Sequence, residues 1–120
     1  MWKLWRCSKL KSIIRYSEEI SLSHEGPFPT KIFLSQKDTS SASVRMCMLE
    51  KGKKIELHAH SDSDQMEYCL GGKAVMLIED LGNVELQIGA FTYIPKGVKH
   101  SVLEISEPLT LLTVFVPPMF

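Results

Sequence analysis

Two imidazoles, His58 and His60, stand one residue apart and are closely followed by Gln65 and Glu67. Alternate residues of a strand project from one face, so strands through these segments pair His58 with His60, and Gln65 with Glu67 and Cys69. Imidazole nitrogens and amide or carboxylate oxygens gathered in this way are donors for one divalent metal. A third imidazole, His100, closes Pro95-Lys96-Gly97-Val98-Lys99-His100 far along the chain. It joins the others only if the fold returns it to them. His24, in a loop beside Gly26 and Pro27 with no partner pattern, reads as a surface residue.

The elements that must position these residues are short and extended. Val44, Met46 and Met48 alternate with Arg45, Cys47 and Leu49, which predicts a strand covered on both sides. Strands over 54–60 and 65–70 follow, joined by Ser61-Asp62-Ser63-Asp64, with a turn at Gly71-Gly72. Strands over 73–79 and 84–88 flank Asp80-Leu81-Gly82-Asn83, a hairpin signal. Further strands are expected over 91–94, 100–105 and 109–116, with earlier ones over 31–35 and near Ile13-Ile14. No long segment sustains the helical period, and about nine or ten short strands with frequent turns point to an all-β sandwich or barrel.

Charge and cysteine usage narrow the partners. Fourteen basic side chains balance fourteen acidic ones over 120 residues, which argues against nucleic acid or an anionic membrane as the main partner. The basic residues Lys3, Arg6, Lys9, Lys11 and Arg15 crowd the first fifteen residues beside Trp2 and Trp5, and residues 1–12 read as a partner-contacting N-terminal arm. No apolar run there is long enough for a signal-peptide core or a spanning helix. Cys7, Cys47 and Cys69 are odd in number and widely spaced, which fits a reducing cytoplasm better than a disulfide framework. Cys47 and Cys69 fall in expected strands and read as small buried hydrophobes.

Two longer patterns resemble a known family. Gly52, His58, His60, Gln65 and Gly72 look like the first cupin motif, with glutamine where glutamate is usual. Gly89, Pro95, Gly97, His100 and Glu104 look like the second, with glutamate where asparagine is common. The likeness spans residues 13–118 and implies a double-stranded β-helix, or jelly-roll barrel, enclosing one divalent transition metal (Mn, Fe, Ni, Co, Cu or Zn). Carried over by position, His58, His60 and His100 are metal ligands and Gln65 takes the fourth place.

Taken alone, a strand histidine pair reads as hydrogen-bonded core or surface residues; His100 in its matching motif turns the reading toward metal. A neutral amide is a weaker ligand than a carboxylate and cancels no metal charge, which leaves two other oxygens in play. Glu67, two residues on and on the same face, is placed to ligate directly or to act as a general base. Asp64 has the wrong register relative to Gln65. Phe91, Tyr93, Met76, Val102 and Glu104 are candidates for shaping the pocket.

The resemblance implies a metal-dependent enzyme acting on a small oxygen-rich substrate, a sugar or a keto or hydroxy acid, by isomerase or lyase chemistry; Glu67, the candidate catalytic residue from strand parity, or a bound water would move the proton. Some small cupins that handle unsaturated uronate sugars share two histidines, a glutamine and a third histidine. Metal-dependent dioxygenation and non-catalytic small-molecule binding are the alternatives. The apolar final strand, with Val114, Phe115 and Val116, and the pairing habit of cupins lead us to expect a homodimer, with the Trp2 and Trp5 arm reaching across.

Overall fold

The computed structural model describes residues 11–120. The arm residues Trp2, Lys3, Trp5, Arg6 and Lys9, and Cys7, lie outside the described residues. Seven strands follow one another: β1 (Thr30–Leu34), β2 (Ser43–Leu49), β3 (Ile55–His58), β4 (Asp64–Ile78), β5 (Gly82–Leu86), β6 (Phe91–Ile94) and β7 (His100–Val116). Every pairing is antiparallel, in the order β1-β2-β7-β4-β5, with β3 beside β7 and β6 beside β4. No helix among the described residues is long and apolar enough to cross a membrane.

Two strands organise the molecule, because β4 and β7 pair along nearly their whole lengths and bend together. Asp64 to Cys69 faces Leu111 to Val116, while Ala74 to Ile78 faces His100 to Ile105, with register shifts between the two halves. One half of the folded sheet therefore contains β1, β2, β6 and the C-terminal part of β7. The other half contains β3, β5 and the N-terminal part of β7.

Glycine makes the bend possible. Gly72 has a φ of 91°, and a Cβ there would fall on the backbone of Pro108 and Leu109. Only a residue without a side chain allows the two strands to approach so closely. The expected turn at Gly71-Gly72 is thus a kink within one strand, and the expected break before Leu109 is likewise absent. Seven strands replace the nine or ten anticipated, because these breaker residues bend strands here without ending them.

The inner faces carry Cys47, Leu49, Cys69, Met76, Ile78, Ile94, Val102, Ile105 and Leu111, all buried. Burial of such aliphatic side chains stabilises by about 1.5–3 kcal/mol each. Cys47 and Cys69 are free and buried, as small hydrophobes of the core. The segment near Ile13-Ile14 is not a strand; it leads into a single 3-10 turn, Ser17–Glu19, while Arg15 is tied to Asp38 at 2.9 Å and to the Phe33 carbonyl at 2.7 Å. The hairpin at Asp80-Leu81-Gly82-Asn83 forms, with Gly82 at a φ of 85°. Ile88, however, lies beyond the strand and is 74% exposed.

Candidate metal centre

The end of β3 meets the start of β7, so that His58 and His100 are direct cross-strand partners. His60 lies just past β3, where its carbonyl accepts the Gly97 amide at 2.8 Å. That bond fastens the His58-Ala59-His60 segment to the Pro95–Gly97 turn that delivers His100. The three rings converge, with centroids 4.3 Å apart for His58 and His100, 5.0 Å for His58 and His60, and 5.3 Å for His60 and His100. One ligand atom from each lies within 4.8 Å of the others.

Backbone contacts set the direction in which these rings can donate a lone pair. His58 Nδ1 is 2.7 Å from the Glu56 carbonyl, and His100 Nδ1 is 3.0 Å from the Val98 carbonyl. A carbonyl accepts only, so each Nδ1 carries the proton and each Nε2 keeps a lone pair, as in metal-ligating histidines. Burial, then the neighbouring His58 and His100 rings and Arg45, push the His60 ring down to about 4. Burial likewise lowers His100. Both shifts favour the neutral ring at His60 and His100, the form that binds metal.

Two buried atoms at this point lack any hydrogen-bond partner among the described residues: His100 Nε2 and Gln65 Oε1. Buried polar atoms are nearly always satisfied, and a nitrogen and an amide oxygen orphaned beside two further imidazoles suit a divalent transition ion. The donor set fits the metal that the fold implies.

Glu67 follows Gln65 on the same inward face and is buried. Thr92 Oγ1 donates to its Oε1 at 3.5 Å and Thr113 Oγ1 to its Oε2 at 3.4 Å. Burial raises its carboxyl above the ordinary range, against the opposing pull of the Thr113 hydroxyl, Arg45, Gln65 and Thr92. Asp64 faces away, accepting from the Lys96 amide at 2.9 Å and the Tyr93 hydroxyl at 3.2 Å. His24 is exposed.

The histidines open onto a cavity of about 650 Å³ between the two halves of the folded sheet. Met76 and Val102 line it as anticipated. Phe91, Tyr93 and Glu104 do not, and all three are exposed. Alternation would have put Glu104 beside Val102, but a register shift between their partners Met76 and Val75 turns Ile105 inward instead. Arg45, Thr113 and Phe115 were not singled out from sequence. Pairing aligns Arg45, Thr113, Glu67 and Thr92 across the sheet as one polar row. An arginine inside an otherwise apolar strand was the available signal.

Comparison with known proteins now bears on this arrangement. Residues 45–115 match the family model described as "Cupin domain", and the chain belongs to that family. The uncharacterized protein SCO3923 of Streptomyces coelicolor is 30% identical over 86 residues, spanning 72% of this chain and 77% of that one. Among solved structures, the fold resembles ectoine synthase from P. lautus, with a TM-score of 0.80 and 18% identity over 90% of this chain and 80% of the other. It also resembles KdgF from Halomonas sp., with a TM-score of 0.79 and 18% identity over 89% and 94%. A predicted oxalate decarboxylase from Thermotoga maritima gives 0.76 and 19% over 88% and 99%.

Proposed function

We propose that this cupin is a metal-dependent enzyme acting on a small oxygen-rich molecule, a sugar or a keto or hydroxy acid, by isomerase or lyase chemistry. The convergence of His58, His60 and His100 at the cavity floor carries this reading. His58, His60 and His100 would hold the ion through nitrogen, and Gln65 through its unpartnered Oε1. When bound, a divalent ion supplies Lewis-acid polarisation of a substrate oxygen.

Glu67 is the proton carrier in this scheme. Both its oxygens receive threonine hydroxyls, so Gln65 is the better fourth donor and Glu67 is left to accept or return a proton at Oε1 or Oε2. A carboxyl whose affinity for protons is raised by burial is suited to that task. Met76, Val102 and Leu111 give the cavity apolar walls.

A homodimer is part of the proposal. Tyr68, Phe91 and Tyr93 lie on the outer face of the sheet, 44%, 63% and 51% exposed, and a second copy would cover them. The free Cys47 and Cys69 fit a reducing compartment such as the cytoplasm.

Elemental analysis of the purified protein tests the central reading. One equivalent of a transition metal in the wild type, lost in His58→Ala and in His100→Ala, is the expected result. A wild type purified under mild conditions without metal, whose melting temperature does not move on adding manganese, cobalt, nickel or zinc, would leave a non-catalytic binding barrel as the better account.

A further inference from the structure

Arg45 sits in the middle of β2 and lines the same cavity as the three histidines. Its guanidinium carbon lies 5.2 Å from the centroid of Phe115, 5.5 Å from that of Phe120 and 5.8 Å from that of Phe28. These rings favour the cation, yet an aromatic face accepts nothing from N–H groups pointing elsewhere in the guanidinium plane. Arg45 Nε is buried and has no hydrogen-bond partner among the described residues. Glu67, two strands away in the same polar row, does not close an ion pair with it.

The place of this unused donor matters as much as its chemistry. Phe115 contacts Arg45 and also meets the His60 ring in an edge-to-face arrangement with centroids 5.2 Å apart. The guanidinium is therefore one aromatic ring away from the histidine cluster. Arginine binds a carboxylate through two parallel N–H groups, and its side-on edge consists of Nε and one Nη.

We propose that Arg45 is the carboxylate anchor of the cavity, which takes a small organic acid with a hydroxyl or keto oxygen turned toward His58, His60 and His100. This narrows the substrate class and, for the oxygen at the histidines, rests on the metal-dependent reading above. The anchor itself does not require the ion.

Calorimetric titration of metal-stripped protein with malonate, and with the uncharged malonamide of similar shape, tests it. Wild type should bind malonate more tightly than malonamide. Arg45→Met, which keeps an unbranched apolar stem, should weaken malonate roughly tenfold to a hundredfold, the range of one charge-assisted pair, and leave malonamide unchanged. Metal content of the purified variant should equal that of wild type. Equal affinity of wild type for the two probes, or unchanged malonate affinity in Arg45→Met, would overturn the anchor. Should Arg45→Met fail to fold, Arg45→Lys retains the charge without Nε. A roughly threefold or greater loss for malonate then supports the proposal, and wild-type affinity overturns it. Arg45-dependent malonate binding in a protein that never carries metal would uphold the anchor and sink only the metal reading.

Discussion

Acidification should destabilise the metal-free protein between the ordinary histidine range and about pH 4, and replacing His60 should remove much of that loss. In the folded chain the His60 ring is pushed from 6.5 to about 4 by burial, by His58 and His100, and by Arg45. Above the unfolded value the ring is neutral in both states, and its contribution to stability is fully present. As pH falls, the unfolded chain takes up a proton that the folded ring refuses, so stability drops and the loss is complete once the folded ring also protonates. A depression of this size corresponds to at most about 3–4 kcal/mol. The ring is only partly buried, and solvent screening reduces the effect to about 1–2 kcal/mol. His100, also lowered by burial, adds in the same direction. Urea unfolding of metal-stripped wild type and His60→Gln near pH 7.5 and near pH 4.5 measures the difference. The wild type should lose about 1–2 kcal/mol more than the variant over this interval. Parallel losses in the two proteins would refute the crowding of charge-averse imidazoles on which the reasoning depends.

Gly72→Ala should cost about 3 kcal/mol or more in urea unfolding, since a Cβ at a φ of 91° meets the Pro108 and Leu109 backbone; a loss below 1 kcal/mol would mean that β4 and β7 can separate at the bend. Thr113→Val should destabilise by about 1–2 kcal/mol by removing a hydroxyl from the buried Glu67 Oε2, which equilibrium unfolding would detect. Glu67→Gln should raise the melting temperature at alkaline pH. The raised carboxyl is protonated in the folded chain at low pH, and its stability contribution is lost as pH climbs through the folded value. Equal melting temperatures for wild type and variant across that range would contradict this. Phe91→Glu with Tyr68→Glu should convert a dimer to a monomer in sedimentation, and an unchanged mass would place any interface elsewhere.

The inward set Gln65, Glu67 and Cys69 was legible because strand parity is a local rule, and no register shift interrupts β4 between these residues. His58, His60 and His100 were legible through the motif that each occupies, although β3 ends at His58 and His60 is held by the Gly97 amide rather than by strand alternation. Parity failed at Glu104, where a bulge reverses the faces. Strand ends failed at Gly71-Gly72 and near Pro108. Whether glycine or proline ends a strand or bends it depends on the partner strand's approach, and that approach is non-local. Arg45 escaped notice for a related reason: its neighbours Thr113 and Phe115 lie on β7, far away in the chain.

These pairings also explain why the histidines converge. His58 and His100 are fixed by one ladder position, and the His60 carbonyl is fixed by the turn preceding His100. Each Nδ1 of the paired rings is engaged by a carbonyl two residues earlier in the chain. The backbone therefore meets the cost of ordering these rings when the barrel folds, and little ordering is left for binding. Preorganisation of this kind brings lone pairs together in a low-dielectric space. That is unfavourable until a positive ion arrives, whereas a proton on His60 is opposed by burial first and then by His58, His100 and Arg45. A site prepared for a cation and a fold sensitive to acid are thus the two expected consequences of one arrangement, in which backbone pairing brings three imidazoles together.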